Sequence, residues 1–320
     1  MRALTCRGDN TPAVDIVEVE DPTPQDNEVV VDVAAVAVNR GELRLLSSRD
    51  AGWRPGQDVA GVVSVEAADG SGPAEGTRVV AWPEQAGWAE QVAVPTSHVA
   101  SIADEVSFSE AASLPIAGMT ALRALRIGGD LEGNSVLVTG ASGGVGRFAV
   151  ELAANDRARV AAVASGPERA EGLTDLGAAE VVHDIADAEG PFDLILESVG
   201  GRSLETAIAL VAAHGTVLVF GNSSNTEAKV SFADFAGKPG ARIEAFFVYA
   251  SGEPPTFGED LGLLADLVAR DLLHPQIGLE VPWTEANDAI RALHDRQVNG
   301  KTVLLVGEGR DGSSTGFEGR

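Results

Sequence analysis

The chain has 320 residues, of which 44% are hydrophobic and 22% are charged. These ordinary globular values exclude a disordered or fibrous protein, and the length suggests roughly two domains. The 48 acidic and 23 basic residues leave a net charge of −25, which opposes binding to nucleic acids or to anionic membrane surfaces as a main function.

Cysteine content and hydropathy exclude further classes of protein. Cys6 is the single cysteine, so an intrachain disulfide, a cysteine-based zinc cluster and a CxxC redox pair are excluded. The sequence shows neither a signal peptide nor an apolar run of the ~18 residues that a membrane span needs. We therefore expect a soluble, cytoplasmic protein.

The first hundred residues contain short β-branched runs separated by clusters of Pro and Gly, which predicts a small barrel or sandwich. These runs lie at residues 14–21, 28–38, 58–67 and 77–82. From about Ser109 the apolar period becomes helical, and residues 110–125 are predicted to form a helix.

Buried-strand patterns then alternate with helical ones, which predicts a doubly wound parallel sheet. The predicted strands are residues 135–140, 159–165, 180–184, 193–200, 216–221 and 242–250, with helices at 144–155 and 167–177. A helix at about 258–272 and a final strand, helix and strand follow. Residues 308–320 are polar and aperiodic, and they predict a disordered tail.

A glycine-rich loop lies between the predicted strand at 135–140 and the predicted helix at 144–155. Its sequence, TGASGGVG at residues 139–146, has the strand–loop–helix context of a dinucleotide-binding fingerprint. Small residues let the backbone approach a pyrophosphate, and the helix N-terminus offers it unpaired N–H groups. We therefore predict a bound dinucleotide.

The end of the next predicted strand indicates whether the bound dinucleotide is NADPH or NADH. An NAD-binding fold usually has Asp or Glu there to hold the ribose diol, but residues 164–167 read ASGP. Ser165 and Arg169 instead suit a ribose 2′-phosphate, so NADPH is predicted. Glu168 leaves NADH as an alternative, because its carboxylate lies only slightly beyond the strand end.

The glycine spacing also matches short-chain dehydrogenases, which need a Tyr-xxx-Lys pair downstream. Here about 135 residues precede the loop, and the single tyrosine, Tyr249, is followed four residues later by Glu253. This class is therefore excluded.

Several segments together resemble the medium-chain dehydrogenase/reductase superfamily, and its zinc-free quinone oxidoreductase branch most closely. They include VNRGELR at 38–44, VTGASGGVGRFAVELA at 138–153 and NGKTVLLV at 299–306. The other matching segments are residues 55–63, 75–82, 87–95, 117–125, 197–201 and 219–224. The resemblance covers about residues 1–306.

This resemblance implies an α/β protein with a β-rich GroES-like barrel domain and a doubly wound Rossmann domain. The barrel domain would consist of residues 1–116 and 252–307, and the NADP-binding domain of residues 117–251. The implied activity is zinc-free hydride transfer from NADPH to a quinone or another activated unsaturated carbonyl. Relatives often form homodimers through a sheet edge, for which residues 245–250 (AFFVYA) are the predicted strand.

The resemblance also implies roles for individual residues. Asn39 and Arg40 would line the catalytic cleft beside the nicotinamide and the substrate. The implied cofactor-binding residues are Thr120, Gly140, Ser142, Gly143, Gly144, Val145, Gly146, Ser165, Arg169, Ser198, Val199, Gly221, Asn222, Phe247, Val248 and Lys301.

Two absences qualify the resemblance. The five histidines are scattered singly, so no zinc site is predicted. Many relatives have a tyrosine in the cleft after the Asn motif, but residues 43–54 contain no tyrosine. Trp53 cannot replace this tyrosine as a proton donor. Tyr249 is a possible proton donor. Two alternatives therefore stay open: an enal, enone or enoyl-thioester reductase, and an NADPH-binding protein without significant catalysis.

Overall fold

The computed structural model describes residues 1–250 and 256–307. The strands are β1 (Arg2–Cys6), β2 (Val14–Glu18), β3 (Glu28–Val38), β4 (Val59–Val65), β5 (Arg78–Ala81), β6 (Gln91–Pro95), β7 (Val99–Ser101), β8 (Ser135–Val138), β9 (Arg159–Val163), β10 (Glu180–Val182), β11 (Phe192–Glu197), β12 (Val211–Val219), β13 (Arg242–Ala245), β14 (Ile277–Pro282) and β15 (Lys301–Leu305). The α-helices are α1 (Arg40–Leu46), α2 (Phe108–Ala112), α3 (Met119–Ile127), α4 (Gly144–Asn155), α5 (Pro167–Ala170), α6 (Arg202–Leu210), α7 (Phe257–Ala269) and α8 (Ala286–His294).

Two large sheets form the framework. The first is a six-stranded parallel sheet in the order β10-β9-β8-β11-β12-β13. The second is a seven-stranded sheet in the order β14-β15-β3-β4-β5-β7, with β6 paired to β3. The predicted α/β class, with a β-rich part and a doubly wound parallel part, is confirmed.

The second sheet pairs a strand from the first forty residues with a strand near residue 300. β15 runs antiparallel to β3, and this register pairs Thr302 with Val38. Lys301 therefore lies beside Asn39, although 262 residues separate them. A bridge between Gly143 and Gly300, with Gly300 N–H donating to the Ser142 carbonyl at 2.9 Å, brings the glycine-rich loop to the same place.

Two predicted helices are wrong in extent. The helix predicted at 110–125 is divided into α2, a π-helical turn at Leu114–Gly118 and α3. Pro115 has no N–H and disfavours a continuous α-helix, and the Ile116 N–H donates to Asp58 instead. α5 ends at Ala170 rather than at residue 177, and residues 171–177 form turns instead.

The strand predicted at 242–250 is wrong beyond Ala245. β13 is the edge of the parallel sheet, but Phe246 and Val248 turn into the core, and Val248–Ala250 forms a 3₁₀ turn. β1, β6 and β7 were not predicted. The proposed domain boundary at 251/252 and the predicted tail at 308–320 lie outside the described residues, and the domain limits stay a prediction.

Candidate active site

The glycine-rich loop connects β8 to α4 with the geometry of an anion-binding turn. Gly140 has φ +60°, and α4 begins at Gly144 after an N-cap, Gly143, that supplies no side-chain acceptor. A Cβ on Gly146 would lie 2.5 Å from the Gly140 carbonyl oxygen, so only glycine allows the helix to pack this closely on the strand. The first N–H groups of α4 are thus available to a phosphate.

Other predicted cofactor residues lie at the carboxyl ends of β11 and β12, on the same sheet edge. Ser198 donates its hydroxyl to the Thr139 carbonyl at 3.1 Å, next to Gly140. Glu197, fully buried, accepts from the Val199 N–H at 3.1 Å and so shapes this turn. Gly221 packs on Ser198, and Asn222 follows it. The structure therefore brings these predicted residues together, with Val145 half-buried in the first turn of α4.

Arginines gather beside the loop. Arg169 Nε donates to Ser142 Oγ at 3.1 Å, and its Nη1 donates to the Arg296 carbonyl at 2.5 Å. Arg296 Nη2 in turn donates to the Ser223 carbonyl at 2.7 Å. Burial, and then the charge of Arg296, lower the pKa of Arg169. Ser165 is exposed just beyond β9.

Arg296 was missed by sequence reasoning. It lies in the loop after α8, 127 residues from Arg169, and its position shortly before the NGK segment was the available signal. Glu168, the residue that left NADH open, is exposed in α5, and its backbone carbonyl accepts from the Asn299 amide.

A buried polar cluster surrounds Asn39, the predicted cleft residue. Lys301 Nζ lies 2.7 Å from both Asn39 Oδ1 and Asp58 Oδ2, and Asn39 Nδ2 donates to Asp58 Oδ2 at 2.9 Å. Lys301 is 3% exposed and Asp58 is fully buried. Protein partners thus hold the ammonium of Lys301, which the resemblance implied as a cofactor contact. A Cβ on Gly144 would lie 2.8 Å from Lys301 Cδ, so the lysine stem packs on the glycine-rich loop.

Two buried carboxylates in this cluster, Asp58 and Glu42, were also missed. Asp58 Oδ1 accepts from the Ile116 N–H at 2.8 Å. Glu42 accepts from the Asn39 N–H at 2.9 Å and from the Gly56 N–H at 3.1 Å. Burial, and then the charge of Asp58, raise the pKa of Glu42 to about 8. Asp58 directly precedes the apolar strand β4, which is its signal in the sequence, whereas Glu42 lies in α1 between two arginines and has no comparable signal.

Tyr249 lies in the turn after β13 and is 49% exposed. Its ring stacks on Trp82 with centroids 6.2 Å apart, and Trp82 also contacts Phe257 at 4.1 Å. Burial, followed by the charges of Glu42 and Asp58, raises the pKa of Tyr249. Its role as a proton donor stays a prediction.

The remaining predicted residues are dispersed around these groups. Thr120 is 6% exposed in α3 and Val248 is buried, whereas Phe247 is 65% exposed. Arg40 begins α1, and its guanidinium donates to the Leu293 carbonyl at 3.2 Å rather than to the cluster around Asn39. Trp53 lies near Gln85, with its indole N–H 3.4 Å from the amide oxygen.

Several known proteins are similar to this chain along most of its length. A quinone oxidoreductase-like protein 2 of Bos taurus is 27% identical, and the alignment covers 95% of this chain and 92% of the Bos taurus protein. A synaptic vesicle membrane protein VAT-1 homolog-like protein of Mus musculus is 30% identical, covering 89% of this chain and 76% of its own. The chain belongs to the medium-chain dehydrogenase/reductase superfamily. Within this superfamily it is quinone oxidoreductase-like.

Solved structures agree on the fold of this superfamily member. The Escherichia coli quinone oxidoreductase, determined in complex with NADPH, superposes with a TM-score of 0.85 at 20% identity, covering 95% of this chain and 100% of its own. The family profile of zinc-binding dehydrogenases matches residues 176–304.

That family is named for zinc binding, so possible metal ligands matter for this superfamily member. Across residues 1–250 and 256–307, no three or more His, Cys, Asp or Glu side chains are grouped to hold a metal ion. Within the same residues, none of the helices has the length and apolar character needed to cross a membrane.

Proposed function

We propose that this protein is an NADPH-dependent, zinc-independent oxidoreductase that transfers a hydride to a quinone or another activated unsaturated carbonyl. The observation that carries the proposal is the convergence of the glycine-rich loop, Arg169 and Arg296 beside the buried cluster of Asn39, Asp58 and Lys301. Relatives named quinone oxidoreductases, and an E. coli relative solved with NADPH, support the same reading.

The residues present fit NADPH. The N-terminus of α4 and the loop at 140–146 suit the pyrophosphate, and Arg169 beside Ser142 suits a phosphate on the ribose. The end of β9 carries no carboxylate that would repel this phosphate. When bound, the nicotinamide supplies the hydride.

The chain's own residues orient the reactants. Lys301 and Asp58 fix the Asn39 amide next to the glycine-rich loop, because its oxygen faces an ammonium and its NH₂ a carboxylate. The residues after β11 lie next to Gly140 of the same loop. Trp82, Phe257 and Tyr249 form one aromatic group, in which buried Trp82 contacts both other rings. Such a site acts mainly through proximity and orientation.

Parallel fluorescence titrations with NADPH and NADH test this function first. We expect tighter binding of NADPH, followed by its oxidation when quinones are added and no loss of activity with a zinc chelator. Preference for NADH would shift the cofactor assignment to Glu168. Binding of neither dinucleotide would overturn the proposal, and binding without turnover of any acceptor would favour a cofactor-binding protein.

Reduction of an enal, enone or enoyl thioester is a second candidate, favoured by Tyr249. This reaction needs a proton at the carbon beside the carbonyl, and Tyr249, stacked on Trp82, is the single phenol of the chain. We expect Tyr249→Phe to lower kcat for an enone about tenfold or more, to abolish the alkaline limb of its pH profile and to leave quinone reduction within about twofold. Equal effects on both acceptors would contradict this role.

We also propose a homodimer in the cytoplasm, paired through the open edge of β13. Ile243 on that strand is 38% exposed, and the outer side of β13 has no neighbouring strand among the described residues. Sedimentation at micromolar concentration is expected to give a dimer, and Ile243→Lys to weaken it. A monomer in both cases would contradict the proposal.

A further inference from the structure

Three guanidinium groups gather at the end of α8 and at the loop at 295–300, which connects α8 to β15. Arg40 donates to the Leu293 carbonyl at 3.2 Å, and Arg169 donates to the carbonyls of Arg296 and Val298. Arg296 belongs to the loop itself and donates to the Ser223 carbonyl. In residues 1–250 and 256–307, none of the three forms an ion pair with a carboxylate.

This gathering of cations is unexpected in a chain with a net charge of −25. Burial, followed by the charges of Arg296 and Arg169, lowers the pKa of Arg40, so the three groups repel one another in the free protein. Neutral carbonyls hold the guanidiniums in place without cancelling their charge. An anion among them would relieve the repulsion and accept several charge-assisted hydrogen bonds.

The position of the cluster identifies the anion. Arg169 Nε lies 3.1 Å from Ser142 Oγ, which belongs to the loop that we propose holds the pyrophosphate. Arg40 approaches from the other side, because it begins α1 directly after β3 of the mixed sheet. The cluster therefore lies between the parallel sheet and the mixed sheet, at the cofactor loop.

We propose that Arg40 is a phosphate-binding residue that, with Arg169 and Arg296, holds a phosphate group of the bound dinucleotide. This inference rests on the proposed function, since it requires a dinucleotide in the cleft. It gives Arg40 a different role from its neighbour Asn39: the guanidinium binds the cofactor, and the amide lies in the buried cluster.

Arg40→Gln tests the assignment, with Arg44→Gln, an exposed arginine one turn further along α1, as the matched control. Fluorescence titrations would measure Kd for NADPH and NADH in both variants and the wild type. We expect Arg40→Gln to weaken NADPH binding about tenfold or more, and Arg44→Gln to change it less than about twofold. A loss confined to NADPH assigns the 2′-phosphate, and an equal loss for NADH assigns the pyrophosphate.

Further readouts separate binding from folding and from chemistry. Arg40→Gln should unfold at a temperature no lower than the wild type, because the change removes a repelling charge. Its NADPH affinity should depend less on salt than that of the wild type. Unchanged Kd values for both dinucleotides would overturn the inference, whether or not kcat fell. A wild type that binds neither would overturn the proposed function itself.

Discussion

Lys301 and Asn39 are in direct contact, with the lysine Nζ 2.7 Å from the amide oxygen, although 262 residues separate them. The antiparallel pairing of β15 with β3 produces this contact. Because the same ammonium also lies 2.7 Å from Asp58 Oδ2, it sets the orientation of the Asn39 amide. The contact thus links the glycine-rich loop, against which the lysine stem packs, to the proposed catalytic cleft.

Removing the Lys301 charge should destabilise the fold strongly. Lys301→Met leaves Asp58 buried and without its cation, and we expect a loss of about 3–5 kcal/mol in the free energy of unfolding. Adding Asp58→Asn should recover part of this loss, because both buried charges are then gone. Urea unfolding measures the cycle, with exposed Lys229→Met as a control that changes stability by less than about 0.5 kcal/mol. Additive single effects would contradict the coupling.

Glu42 should make stability depend on pH. Its pKa in the folded protein is raised from 4.5 to about 8, so the folded state holds a proton that the unfolded chain releases. Stability therefore decreases as the pH rises from about 4.5 to about 8. Glu42→Gln should remove roughly 2–4 kcal/mol of this decrease between pH 5 and 8.5, measured by urea unfolding. Parallel pH profiles for variant and wild type would contradict the assignment.

His274 adds a second pH-dependent contribution away from the site. A hydrogen bond between His274 Nδ1 and Glu151 raises the pKa of the histidine. Its stabilisation is fully present below the unfolded-state pKa near 6.5 and is lost as the pH rises through the higher folded-state value. We expect His274→Gln to lower the Tm at pH 5.5 more than at pH 8.5. The matched control, His294→Gln, removes a histidine beside Asp295; equal effects of both variants would contradict the prediction.

Gly146 should tolerate no side chain. Gly146→Ala would place a Cβ 2.5 Å from the Gly140 oxygen and 2.6 Å from Ala141 Cα, both of them backbone atoms. We expect a loss of about 2 kcal/mol or more in stability, measured by urea unfolding, because the turn must open. Gly143→Ala is the stability control, since its Cβ would lie 3.4 Å from the nearest atom at an ordinary negative φ. Similar losses in both variants would show that the close approach is not responsible.

The amino-acid sequence determined the parts of the protein that depend on local pattern. The predicted helix at 144–155 coincides with α4, because the glycine-rich loop marks its start and its apolar period is regular. The strand predicted at 28–38 coincides with β3, because its run of β-branched and apolar residues is continuous. Where a local rule conflicted with the apolar period, as at Pro115, the prediction from period alone was wrong.

The tertiary structure alone decided which distant side chains meet. Burial periodicity shows which side of a strand faces the core, but it does not show which partner lies opposite. Strand order and register brought Lys301 to Asn39 and Asp58, and the loop after α8 brought Arg296 to Arg169. Charged groups can be buried only where such partners converge. The polar cluster and the arginine cluster therefore could not be predicted without the arrangement of the two sheets.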